Sequence, residues 1–235
     1  MDQPPQGPLP PYSVPWSVAD TWTGVITLAL IDAVLLAVVL QGLGAQVAQS
    51  AGIILVELVY LLPVALIFAR RRIPWIHLGF GKFDWSTLGL GCGLLIASYI
   101  VILLHTAILL ALGIETQGDE IARIFGSLES PVWFLIVGVV FAPLVEEIFF
   151  RGFLFQGFRQ KYGWINSMLL SSAIFAAAHL DPVSLIPTFI LGNVLAYVYH
   201  RSNSVWPGVI LHFLVNGFGL CAAYAATQLQ GFIPS

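Results

Sequence analysis

Seven apolar runs separated by short polar connections dominate the chain, near 22–43, 51–69, 87–112, 131–156, 165–180, 183–200 and 205–228. Crossing the hydrocarbon core of a bilayer takes about 20 predominantly apolar residues in a helix. An open strand could not satisfy its backbone polar groups in lipid, so each run reads as helical. The expected fold is an all-α polytopic transmembrane bundle of about seven helices. The longest polar segment, 113–130, carries Glu115, Asp119, Glu120, Arg123 and Glu129 and is either a loop or an eighth, short amphipathic helix at the interface.

Composition narrows the function classes. The 235 residues are 58% hydrophobic and only 9% charged, where a soluble domain carries about 25% charge. Disorder is excluded on that ground. Nine Lys and Arg against twelve Asp and Glu leave no basic face for nucleic acid. Cys92 and Cys221 both lie inside apolar runs and read as small packing residues rather than a disulfide framework. The first fifteen residues hold six prolines and no Lys or Arg, the pattern of an extended tail without the basic start of a cleaved signal peptide.

Basic residues set the expected orientation. Arg70, Arg71, Arg72 and Lys82 follow the second run, Arg159 and Lys161 the fourth, and Arg201 the sixth. In a seven-helix arrangement these loops share one side, with Arg123 on the other. The positive-inside rule makes the shared side cytoplasmic, with the N-terminus inside. Trp22, Trp75, Trp85, Trp133, Trp164 and Trp206 sit at run ends, as interfacial anchors do.

Ionisable groups at membrane depth cost about 2.5–3.5 kcal/mol or more, so each needs a partner or a task. The fourth run contains Glu146, Glu147 and Arg151. Glu147 and Arg151 are four residues apart and share a helix face, which suits an ion pair. Glu146 points about 140° away from Arg151 and is left to face something else. The fifth run ends on Phe175-Ala-Ala-Ala-His179, and the seventh contains His212-Phe-Leu-Val-Asn216, whose i, i+4 spacing stacks imidazole and amide on one face. Counted from connections at 159–163 and 201–204, Glu146 lies roughly 18 Å deep, His179 roughly 22 Å, His212 roughly 12 Å and Asn216 roughly 18 Å. Three helices thus bring a carboxylate, two imidazoles and an amide to one slab. Asp32, Glu57 and His105 are isolated in sequence and read as packing or interface groups. The turn at Leu180-Asp181-Pro182 is short enough to lie inside the protein.

The ordered set Glu146-Glu147-x-x-x-Arg151, Phe175-x-x-x-His179 and His212-x-x-x-Asn216 resembles the CPBP family of intramembrane proteases. That family includes the type II CAAX prenyl endopeptidases and the bacteriocin-processing and self-immunity (ABI) proteins. The stretch from Leu195 to His212, with Tyr197, Arg201 and Trp206-Pro207, is similar to the family's last helical hairpin. The resemblance covers 141–216 and implies that Glu146, His179, His212 and Asn216 are catalytic, with Glu147, Arg151 and Phe175 as structural support. It divides the chain into a Pro-rich tail at 1–18, N-terminal helices and a polar loop at 19–130, and a catalytic core at 131–228.

The implied activity is an endopeptidase acting near the C-terminus of a membrane-associated peptide or protein, prenylated in the family's best-known case. Glu146 would activate water, His179 would orient it, and His212 and Asn216 would bind the oxyanion. No cofactor is required on this reading. Zn²⁺ held by Glu146, His179 and His212 is the alternative, although the HExxH helix is absent and Glu146 does not easily serve as both ligand and base. The expected location is a multi-pass position in the plasma membrane. Two readings compete with the protease: a non-catalytic scaffold or immunity protein, and a proton-coupled transporter, for which the inverted repeats and broken helices are not evident.

Overall fold

The computed structural model describes residues 13–41 and 52–230. Most of the expected Pro-rich tail lies outside these residues, as does the end of the first apolar run. The described residues form helices and turns without strands. α1 spans Val18–Leu40, α2 Gly52–Val59, α3 Leu62–Arg71 and α4 Ser86–Ala111. The second apolar run is therefore not one helix, contrary to the continuous hydrophobicity. Pro63 lacks an N–H and its ring clashes with the carbonyl four residues back, at Val59, the residue on which α2 ends.

The polar segment 113–130 forms the amphipathic helix α5 (Gln117–Ser127), whose Phe125 packs against Phe134 at 5.4 Å and Tyr224 at 5.3 Å. A capping box starts it: the Thr116 backbone N–H and hydroxyl both donate to Asp119 Oδ2 at 2.7 Å. Those bonds, the backbone one foremost, hold the Asp119 carboxyl below its ordinary 3.8. Because the folded value is depressed, the cap contributes fully above the ordinary value and is lost as the pH falls through the folded one. Asp119→Ala is expected to speed hydrogen exchange in the first turn of α5 at neutral pH, with the gap to wild type closing as acidification protonates the carboxyl.

From Val132 to Ala178 the chain is helical with one corner. α6 (Val132–Ile136) and α7 (Ala142–Glu146) are joined by a wide π-type stretch over Val137–Phe141, and a second one, Glu147–Phe155, leads into α8 (Gln156–Ala178). The expected loop at 159–163 is a single-residue corner at Gly163, whose φ of 74° a side chain would resist. The corner separates the fourth and fifth apolar runs. α9 (Leu185–Ser202) and α10 (Trp206–Gln230) follow. The turn before α9 is open rather than enclosed: Leu180 is 54% exposed, and Asp181 accepts the backbone N–H groups of Val183 and Ser184, so the turn satisfies itself without burial.

Four helices among the described residues are long and apolar enough to cross a membrane: Val18–Val38, Ser86–Ala111, Val132–Ala178 and Trp206–Leu229. The chain is a membrane protein. Glu147–Phe155 is buried at every residue and forms the centre of the bundle, as a helix apolar on nearly all sides must. Around it, Phe153 lies 5.6 Å from Trp16 and 6.2 Å from Phe68, and Phe150 lies 4.9 Å from Phe175.

The three basic connections gather at one end. Val205 N–H donates to Gly79 O, Ser204 Oγ to Gly81 O, and Arg159 reaches Asn203 Oδ1 at 3.2 Å through both terminal nitrogens. Arg71 pairs with Asp20 at 2.9 Å, which brings the start of α1 to the same end. Trp22, Trp75, Trp85, Trp133 and Trp206 stand partly exposed, as anchors would. Trp164 instead stacks on His200 with ring centroids 4.7 Å apart.

Candidate active site

The site is built outward from one buried ion pair. Arg151 Nη1 donates to Glu147 Oε1 at 2.6 Å, and the two side chains are 1% and 0% exposed. The i, i+4 spacing brings them together despite the wide turns between them. Arg151 Nη2 donates to Gly192 O on α9 at 3.3 Å, and the guanidinium carbon sits 4.3 Å from the centre of the Phe175 ring. One cation therefore ties the central helix to α9 and to the end of α8.

His212, on α10, stands between the two adjacent glutamates. Its Nδ1 is 3.3 Å from Glu147 Oε1 and its Nε2 is 3.6 Å from Glu146 Oε2. Phe175 packs edge-on against both imidazoles, at 5.8 Å from His212 and 4.8 Å from His179. His179 Nδ1 lies 2.8 Å from Phe175 O. A carbonyl can only accept, so this bond puts a proton on Nδ1 and leaves Nε2 of the neutral ring as an acceptor. Asn216 does not pair with His212 one turn away. Its Nδ2 donates to Gly138 O at 2.9 Å, a carbonyl in the first wide stretch, and the amide carries a second N–H.

Two cavities meet at His179. The smaller, about 90 Å³, is lined by Glu57, Tyr60, Glu146, Phe150, Ala178 and His179. The larger, about 400 Å³, is lined mainly by apolar residues of α4, α5, α9 and α10, with His179, His212 and Asn216 in its wall. Glu146, His179, His212 and Asn216 thus come to one place, and Glu147, Arg151 and Phe175 form the floor behind them. Glu146, His179 and His212 do not gather into a metal-binding set: among the described residues no three His, Cys, Asp or Glu side chains converge to hold an ion.

Two groups that looked isolated in sequence are also here. Tyr60 donates to Asp32 Oδ1 at 2.8 Å, and Glu57 faces the same small cavity as Glu146. The cost of a carboxyl at membrane depth was the available signal. Its partner lay on another helix, beyond the reach of sequence spacing.

Gly208 is required by this arrangement. A Cβ there would lie 2.5 Å from Glu147 Oε2 and 3.1 Å from its Cδ, which would displace the carboxylate that Arg151 pairs with. Gly208→Ala is expected to destabilise the fold by about 1–3 kcal/mol, read as a lower thermal midpoint in detergent.

Comparison with known proteins agrees with this region. Residues 128–218 match the family model described as type II CAAX prenyl endopeptidase Rce1-like. The Bacillus subtilis (strain 168) protein named "Putative membrane peptidase YdiL" is 26% identical over 160 residues, covering 66% of this chain and 65% of that protein. Protein YxdF of Lactococcus lactis subsp. lactis (strain IL1403) is 31% identical over 105 residues, 44% of this chain and 57% of its own length. An Escherichia coli protein described only as an uncharacterized 24.3 kDa protein is 30% identical over 99 residues, 40% of this chain and 46% of its own. The chain thus spans less than two thirds of each of these relatives. No solved structure matches it significantly. The match to the Rce1-like model, which takes in less than half of the chain, spans all three motifs and the whole of the charged cluster.

Proposed function

We propose that the protein is an intramembrane endopeptidase that hydrolyses a peptide bond near the C-terminus of a membrane-associated substrate of the prenylated CaaX type. One observation carries the reading: a cavity of about 90 Å³ at Glu146, room for water, adjoins an apolar cavity of about 400 Å³, room for a prenyl chain, with His179 in the wall of both. A ligand cavity is typically about 300–1,000 Å³ and mostly apolar, and the larger one fits that description.

In this mechanism Glu146 takes a proton from water as the water oxygen attacks the scissile carbonyl carbon, and returns it to the leaving amine. The bare Nε2 of His179 accepts the second hydrogen of that water and fixes its orientation. His212 Nε2–H and the second N–H of Asn216 bind the oxyanion of the tetrahedral intermediate. This role needs a proton on each ring nitrogen of His212: Nδ1–H faces Glu147, anchored by Arg151, and Nε2–H faces the oxyanion. Every group is supplied by the chain, and no metal is assigned a part.

The name of the Bacillus subtilis relative, a membrane peptidase, supports the same class of reaction. The partners are the bilayer and the peptide substrate. The basic end, which includes the start of α1, is assigned to the cytoplasm of a plasma-membrane protein by the positive-inside rule. The test of substrate class is a competition between matched CaaX peptides with and without a farnesyl group, cleaved by the purified protein. Preference for the farnesylated peptide of at least about tenfold in kcat/KM is expected from filling the apolar cavity. Equal turnover of both would remove the prenyl group from the account.

A further inference from the structure

We propose that Glu57, on α2 and outside the family-matched segment, is a positioning residue that holds water against Glu146; the proposal rests on the peptidase reading above. The last turn of α2 carries Glu57 to the wall of the 90 Å³ cavity, which Glu146 and His179 also line. Oε2 of Glu57 and Oε2 of Glu146 are both buried without a hydrogen-bond partner in the protein. A buried polar atom left in that state is costly, and more so at membrane depth. Tyr60 does not relieve it, because its hydroxyl is committed to Asp32.

Water is the partner that fits. A cavity needs roughly 10–15 Å³ to admit one water, and the water needs two to four polar neighbours. Glu57, Glu146 and His179 provide three around the same space. Water held between the two carboxyls is kept within reach of Glu146 before substrate arrives. Glu57 takes no proton in the balance of the reaction: the proton lost by the attacking water goes to Glu146 and then to the leaving amine. The break imposed by Pro63 ends α2 just after Glu57 and puts the carboxyl at a helix end rather than in a helix interior.

The test compares Glu57→Leu, Glu57→Gln and Glu146→Gln with wild type on the fluorogenic farnesylated peptide, with thermal midpoints recorded in detergent. Misplacing a reacting group by about 1 Å costs on the order of 10²-fold. Glu57→Leu is therefore expected to lower kcat at least about tenfold with KM unchanged, while Glu57→Gln, which keeps polar atoms in the cavity, stays within about threefold. Wild-type kcat in Glu57→Leu alongside an inactive Glu146→Gln would overturn the role of Glu57 and leave the peptidase reading intact. An active Glu146→Gln would overturn that reading instead. A structure resolving waters decides Glu57 separately, and does so even if Glu57→Leu does not fold. Density touching both carboxyls in wild type supports the proposal, and a dry cavity contradicts it.

Discussion

Replacing Glu146 by glutamine is expected to lower kcat by about 10³-fold, within the range lost when a positioned general base is removed. The change is nearly isosteric, and Glu146 makes no buried ion pair with Arg151, so the thermal midpoint should hold. His212 Nε2, 3.6 Å from Glu146 Oε2, keeps an oxygen or amide opposite it in either case. KM should change little, because the groups lining the 400 Å³ cavity are untouched. Loss of kcat with retained KM and retained stability is the signature of a group used in the transition state rather than in binding or packing. A scaffold built on the same cluster would tolerate the substitution, so the experiment also separates the two classes of function.

The second large effect concerns stability. Arg151→Met is expected to destabilise the protein by about 3–5 kcal/mol, because it leaves the Glu147 carboxylate buried without its cation. It also removes the bond to Gly192 O and the guanidinium packed over Phe175. Pairing it with Glu147→Gln should recover much of the stability, since no uncompensated buried charge is left. Activity should stay low in the double variant, because His212 Nδ1 loses the carboxylate 3.3 Å away that holds its ring. Thermal unfolding in detergent, run beside peptide cleavage, checks both halves. Recovery of activity together with stability would show that Glu147 acts only as the counter-ion of Arg151.

Local rules carried much of the site. The i, i+4 spacing gave the Glu147–Arg151 pair, which the structure shows at 2.6 Å. Counting 1.5 Å per residue along three helices put Glu146, His179, His212 and Asn216 at a common depth, and these groups do line adjoining cavities. What spacing could not supply was partnership between distant segments. Glu57 and Asp32 sit on helices that sequence analysis had no means of docking, so their costly polar groups looked solitary. Asn216 was legible as a neighbour of His212 but bonds across to Gly138, whose carbonyl is available in a wide turn that no sequence pattern announced. The second apolar run misled for a different reason: uninterrupted hydrophobicity hid Pro63, although the steric rule for proline locates the break at Val59. Arg159 and Lys161 read as loop anchors, whereas they lie in the last helical turns before the Gly163 corner.

The most direct test of the account is cleavage of a fluorogenic farnesylated CaaX peptide by the purified protein in detergent, with wild type and Glu146→Ala each assayed with and without a strong chelator. The account predicts cleavage by wild type at the same rate in both conditions and none by Glu146→Ala. Cleavage abolished by chelator and restored by added Zn²⁺ would contradict a water activated by Glu146 alone, and undiminished cleavage by Glu146→Ala would contradict the site itself.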